Sequence, residues 1–147
     1  MSQKSIYNSN LPNITHEGKV RDTYELNDEL LLMVVTDRIS AFDVVMDTAI
    51  PRKGEVLAKM SEFWFKKTKH IIPNHFIGLA SDSKTFELIS DFPIAKHLDE
   101  GLRKRSMVVK KAKRIDIECI VRGYITGSAW SEYKKTKTAI RRNNFFI

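Results

Sequence analysis

Four stretches of this sequence carry side chains that can do chemistry. In ECIVRGYITGSAW (residues 118–130), strand alternation puts Glu118, Ile120 and Arg122 on one face and Cys119 and Val121 on the other. An acid and a base thus share one face of an otherwise apolar run. Glu118 can hold a cation or a ligand hydroxyl, and Arg122 can grip a carboxylate or phosphate with two parallel bonds. Ser128, behind Gly127 at a predicted helix start, can join backbone amides in holding an anion. The competing reading is a structural Glu118–Arg122 ion pair followed by an ordinary capped helix.

In GKVRD, Gly18 lets the backbone approach a ligand, and Lys19 and Arg21 project to the same side of a strand. Two cations so placed make a phosphate clamp; the alternative is an exposed polar strand face. The Walker pattern is absent. TDRISAFD packs Thr36, Asp37, Arg38, Ser40 and Asp43 between apolar runs. Such a polar loop on rigid flanks lines a binding site or satisfies itself locally. In KKAKR, Lys110, Ala112 and Arg114 share one face, which borders a nucleotide or forms a lysine-guarded edge strand. The histidines and the single Cys119 show no zinc-ligand spacing.

These residues need elements to place them. GKVRDTYEL reads as a strand with Val20, Asp22, Tyr24 and Leu26 on one face and Lys19, Arg21, Thr23 and Glu25 on the other. Asn27-Asp28 signals a turn, and residues 30–36 a buried strand that closes a hairpin. The polar loop 37–43 then leads into a short strand at 44–46. From Pro51 the period changes: Val56, Leu57, Met60, Phe63 and Trp64 follow helical spacing and predict a core-facing stripe. A short strand is expected at 75–80, a short helix near 94–100, strands at 106–114 and 115–126, and a helix from Ser128 as N-cap. The sum is an α+β domain, a twisted antiparallel sheet covered by helices.

The 147-residue length suits one domain of ordinary size, and 42% hydrophobic content suits a folded chain. No run reaches the roughly 18 apolar residues of a membrane span, and the polar start MSQKSIYNSNLPN lacks a signal-peptide core. One cysteine precludes an intrachain disulfide and fits a reducing, cytoplasmic setting. The net charge of +7 raises nucleic acid as a partner. Five of the cations follow Tyr133, however, and up to that residue 20 basic side chains face 18 acidic ones. The expectation is no nucleic acid and no membrane, with a basic nucleic-acid-binding module as the alternative.

Taken in order, GKVRDTYEL, VVTDRISAFDVVM, IPRKGEVLAKMSEFWF, Asn74-His75 and VVKKAKRIDIECIVRGYITGSAWSEYKKT resemble the N-terminal part of the phosphoribosylaminoimidazole-succinocarboxamide synthase (SAICAR synthetase) family over residues 14–136. The resemblance implies a purine-biosynthesis ligase, cytoplasmic, that joins L-aspartate to carboxyaminoimidazole ribonucleotide while ATP is split to ADP and phosphate, with Mg2+ as the accompanying metal. It implies a sheet like the small lobe of kinase-like ATP-binding folds plus the start of the second lobe. It casts Gly18, Lys19 and Arg21 as ATP-phosphate contacts and Val109, Lys110, Lys111 and Ala112 as the strand that meets adenine. Asp37, Ser40 and Asp43 would border the substrate or aspartate pocket. Arg122, Gly127 and Ser128 would hold the ribonucleotide, Glu118 and Arg122 would be catalytic, and Glu118 would stand near the metal.

The sequence departs from the family in two places. Asp116 stands where the family usually has proline. After Thr136 the family continues with glycine and a Gly-, Leu- and Pro-rich segment, whereas this chain reads KTAIRRNNFFI. The resulting division is a polar segment 1–13, a family-like region 14–136 and a divergent basic tail 137–147. The expectation is a truncated chain that needs the family's C-terminal half and has little turnover alone. A non-functional fragment is the further alternative.

Overall fold

A computed structural model describes residues 5–113, 115, 117 and 123–137. The chain divides into two compact units, Met1–Ala112 and Lys113–Ile147.

The first unit runs β1 (His16–Glu17), β2 (Arg21–Glu25), β3 (Leu30–Val35), β4 (Arg38–Ala41), β5 (Val44–Ala49), α1 (Lys53–Thr68), β6 (Phe76–Leu79), α2 (Ser83–Ile89), a 3-10 helix (Pro93–His97), α3 (Glu100–Arg103) and β7 (Ser106–Lys110). Among the described residues, five strands form an antiparallel sheet in the order β1-β2-β3-β7-β6. The expected α+β class and antiparallel sheet are what the chain adopts.

The β2–β3 hairpin forms where the sequence placed it. Asn27 turns the chain because its side-chain oxygen accepts from the amides of Glu29 (2.9 Å) and Leu30 (2.8 Å). Alternation then divides the sheet into two faces. One buries Tyr24, Leu32, Val34 and Val108 with Ala80, Ile89, Ile94, Leu98 and Leu102. The other gathers Val35, Leu79, Met107 and Val109 with Ala58 of α1. Full burial of a side chain such as Leu32 or Val34 contributes about 1.5–3 kcal/mol.

Helix α1 corrects the expected stripe. Its buried residues are Gly54, Glu55 and Ala58. Val56, Met60, Phe63 and Trp64 are each about half exposed. The cause is close approach. A Cβ on Gly54 would lie 2.2 Å from the Val35 carbonyl oxygen, so only a small-residue face can seat on the sheet there. The large apolar side chains are left on the far side, where Phe63 and Trp64 meet edge to face at 5.3 Å and Lys67 lies over both rings.

Residues 38–49, read as a loop and a three-residue strand, are instead the two-stranded β4–β5 hairpin. Its turn puts Phe42 (φ 50°) and Asp43 (φ 65°) in the left-handed region, without the Asn-Gly signature that announces such turns. Helix α2 was not anticipated; Asp82 caps it by accepting from the Thr85 amide at 3.0 Å. The expected helix at 94–100 is split into the 3-10 helix and α3, which Asp99 caps through the Leu102 amide at 2.7 Å. The strand expected over 106–114 ends at Lys110 and lies between β3 and β6, so the edge-strand reading of KKAKR does not hold.

In the second unit, the described residues include α4 (Gly127–Thr136). Its N-cap is Thr126 rather than Ser128, and Gly127 takes φ 63°. Most of the strand expected over 115–126 lies outside the described residues.

Candidate functional site

The connection from β1 to β2 carries the first candidate group. The Gly18 amide donates to the Arg21 carbonyl at 2.8 Å, closing a tight turn. A Cβ on Gly18 would sit 2.8 Å from that same oxygen, so the turn requires glycine. Lys19 rises from the turn into solvent, and its Nζ lies 2.6 Å from Oδ1 of Asp43 at the β4–β5 turn. The Lys19 ammonium holds the Asp43 carboxyl below its ordinary range. Two predicted site residues from separate segments therefore meet.

Arg21 is half-buried on the α1 side of the sheet, opposite Val35. Its Nε is buried without a hydrogen-bond partner among the described residues. Desolvation lowers its pKa. Burial also pushes Lys53 down; the Asp37 carboxylate opposes this, while the charges of Arg21 and Arg38 add to it. A guanidinium with a buried Nε left unpartnered among the described residues, and other cations near by, gains by meeting an anion, because burial without pairing costs free energy. Phosphate oxygens fit that requirement.

Asp37 is placed differently from the other polar residues of its stretch. It is fully buried, and its carboxylate accepts from the amides of Ile6 (2.8 Å) and Gly54 (2.8 Å) and from Arg105 Nη1 (2.6 Å). Burial raises its pKa, but those three donors outweigh that and hold it below the ordinary carboxylate range. Asp37 thus ties the N-terminal segment, the start of α1 and the lead into β7 together. Ser40 is half-buried in β4, opposite Val45.

Val109 is buried in β7 between Leu31 and Phe76. The Lys110 amide donates to the His75 carbonyl (2.8 Å) and the Lys111 amide to the Glu29 carbonyl (2.6 Å). Lys111 Nζ pairs with Glu25 at 2.7 Å. Ala112 is exposed. Gly127 and Ser128, both exposed, open α4 in the second unit. Glu118 and Arg122 lie outside the described residues. Among the described residues no group of three or more His, Cys, Asp or Glu side chains is arranged to hold a metal, and no helix is long and apolar enough to cross a membrane.

Sequence reasoning passed over Arg105 and read Arg38 only as part of a polar loop; both are buried. Arg105 is the partner of Asp37. Arg38 is 2% exposed and uses all five guanidinium N–H groups. Nε donates to the Lys19 carbonyl (3.2 Å), Nη1 to the Tyr7 carbonyl (2.8 Å) and Asn8 Oδ1 (3.2 Å), and Nη2 to the Gly18 carbonyl (2.8 Å) and Asp22 Oδ1 (2.6 Å). Asp22 is in turn held by the Ser9 hydroxyl, which also meets Tyr24. The available signal was position: Asp22 fell on the apolar face of its strand, a buried acid that demands a buried base.

Comparison with known proteins adds the last observations. The family model described as SAICAR synthetase matches residues 14–146. The chain is 50% identical over 123 residues to the phosphoribosylaminoimidazole-succinocarboxamide synthase of Thermodesulfovibrio yellowstonii, covering 84% of this chain and 39% of that protein. It is 55% identical over 120 residues to the synthase of Geobacter sulfurreducens, covering 81% and 38%. The solved SAICAR synthase from Saccharomyces cerevisiae, complexed with SAICAR, superposes with a TM-score of 0.71 at 45% identity over 94% of this chain and 46% of that one. The chain thus spans about two-fifths of the length of the curated relatives it matches.

Proposed function

The chain belongs to the SAICAR synthetase family, and on that premise we propose that it carries the ATP-phosphate site and part of the ribonucleotide site of an ATP-dependent carbon–nitrogen ligase of purine biosynthesis, acting in the cytoplasm. The reaction joins L-aspartate to the carboxylate of carboxyaminoimidazole ribonucleotide. A carboxylate oxygen attacks the γ-phosphorus of ATP, ADP leaves, and an acyl phosphate forms. The aspartate amine attacks the acyl carbon, phosphate departs with that oxygen, and the amine gives up its proton.

The observation that carries the reading is Arg21, a half-buried cation with an orphaned Nε beside the glycine turn that presents Lys19. In this reading Gly18, Lys19 and Arg21 hold the phosphates and offset charge on the transferring group. The sheet serves as the small lobe of a kinase-like cleft. Adenine lies along Val109–Ala112; since the Lys110 and Lys111 amides are engaged within the unit, it meets the Ala112 amide and the carbonyl edge. Ser40 and Asp43 border the substrate or aspartate pocket, and Asp37 positions them from beneath. Arg122, Gly127 and Ser128 take the ribonucleotide, and Glu118 and Arg122 serve the chemistry. Glu118 would hold Mg2+, which would supply neutralisation of phosphate charge. Residues 14–136 act as the family's N-terminal region. The partners are small molecules, and turnover needs the walls that the longer relatives supply.

Calorimetry with the 147-residue chain tests this. ATP binding, weakened at least tenfold by Lys19→Met or Arg21→Met, is the expected result. A wild-type chain that does not bind ATP, or binds RNA in its place, refutes the reading.

A further inference from the structure

The five bonds of Arg38 do more than fill the interior. Two of them end on consecutive carbonyls, those of Gly18 and Lys19. A trans peptide is planar, and its C=O and the following N–H point in opposite directions. Drawing the Gly18 and Lys19 carbonyls inward therefore turns the N–H groups of Lys19 and Val20 away from Arg38. Neither amide has a hydrogen-bond partner among the described residues. Two successive amides turned away from Arg38 beside Lys19 and Arg21 are a backbone arrangement that favours an anion.

We propose that Arg38 is a positioning residue: it fixes the Gly18–Val20 backbone so that the Lys19 and Val20 amides, with the Lys19 and Arg21 side chains, receive the terminal phosphates of a nucleotide. The inference rests on the nucleotide reading above. The arrangement does not depend on chance rotamers. Asp22 at 2.6 Å balances the guanidinium charge, and Glu17 at 3.8 Å adds to it from the surface. Lysine at 38 would keep a charge beside Asp22, but it lacks the planar fork that reaches both carbonyls.

Two measurements test it. In the wild-type chain, titration with inorganic triphosphate is expected to shift the amide resonances of Lys19 and Val20. In Arg38→Lys, confirmed folded by circular dichroism, calorimetry is expected to show ATP affinity at least tenfold weaker and adenosine affinity within twofold of wild type. A solely structural role would weaken both ligands alike or neither, and either result overturns the inference. If Arg38→Lys does not fold, the wild-type titration decides: a chain that binds ATP while the two amide resonances stay fixed refutes the role of Arg38 and leaves the nucleotide reading standing. A chain that binds no ATP removes both.

Discussion

Replacing Arg105 by methionine keeps most of the side-chain bulk and removes the guanidinium that faces Asp37. The pair is 2.6 Å apart, with side chains 4% and 0% exposed, so water cannot take the lost partner's place. Breaking a buried pair from one side costs about 3–5 kcal/mol. Asp37 keeps its bonds from the Ile6 and Gly54 amides, which places the expected loss near the lower end, about 3 kcal/mol. That is a large share of the roughly 5–15 kcal/mol that stabilises a typical domain. At about 2–4 °C per kcal/mol for a chain near this size, the midpoint falls by about 6–12 °C. Urea denaturation followed at 222 nm gives the free energy directly. The pH dependence supplies an independent sign. A carboxyl held below its ordinary 3.8 contributes stability that is present above that value and lost as pH falls through the folded-state value. In Arg105→Met, protonation of Asp37 relieves the unpaired charge, so the gap between wild type and variant should narrow as pH falls toward and below the ordinary 3.8. A loss below about 1 kcal/mol at neutral pH, or a gap that widens in acid, would show that the pair is not what holds the N-terminal segment, α1 and β7 together.

Three further outcomes are expected. Gly54→Ala puts a methyl 2.2 Å from the Val35 carbonyl oxygen and should cost at least about 1–3 kcal/mol by thermal melting; an unchanged midpoint contradicts the close seating of α1. Arg21→Met removes a desolvated cation whose Nε has no hydrogen-bond partner among the described residues, so the unliganded chain should be as stable as wild type or slightly more so while ATP affinity falls; a marked loss of stability would reveal a structural partner. Glu55, held down to about 2 by Lys59 and Arg52, should titrate well below its ordinary 4.5 in carboxyl-detected NMR, and a midpoint near 4.5 would undo both contacts.

The parts of the fold that sequence revealed are those governed by local rules. The β2–β3 hairpin was legible because alternation and Asn27 agree. The β4–β5 hairpin was hidden because Phe42-Asp43 takes a left-handed turn with residues that do not advertise it. Helix α1 was legible as a helix but not in its orientation. Periodicity reports which residues share a face, not which face finds a partner; here Gly54 and Ala58 decide the matter by size. Lys19 of the phosphate clamp and Asp43 of the polar loop were each singled out, yet their meeting is a tertiary event. Arg38 was read only as part of a polar loop, because its five acceptors come from segments up to 31 residues away.

The position of β7 governs how the chain can be assembled. Among the described residues it is the last strand of its sheet to leave the ribosome, yet it is the seam between β3 and β6, pairing Leu30 with Lys110 and Val34 with Ser106. Closing that seam joins residues more than 70 positions apart, a long-range step that is intrinsically slow. Until it closes, the β3 backbone edge is open to pairing with another nascent chain, so the interval before Ser106–Lys110 docks is the one in which the folding polypeptide is most exposed to edge-to-edge association.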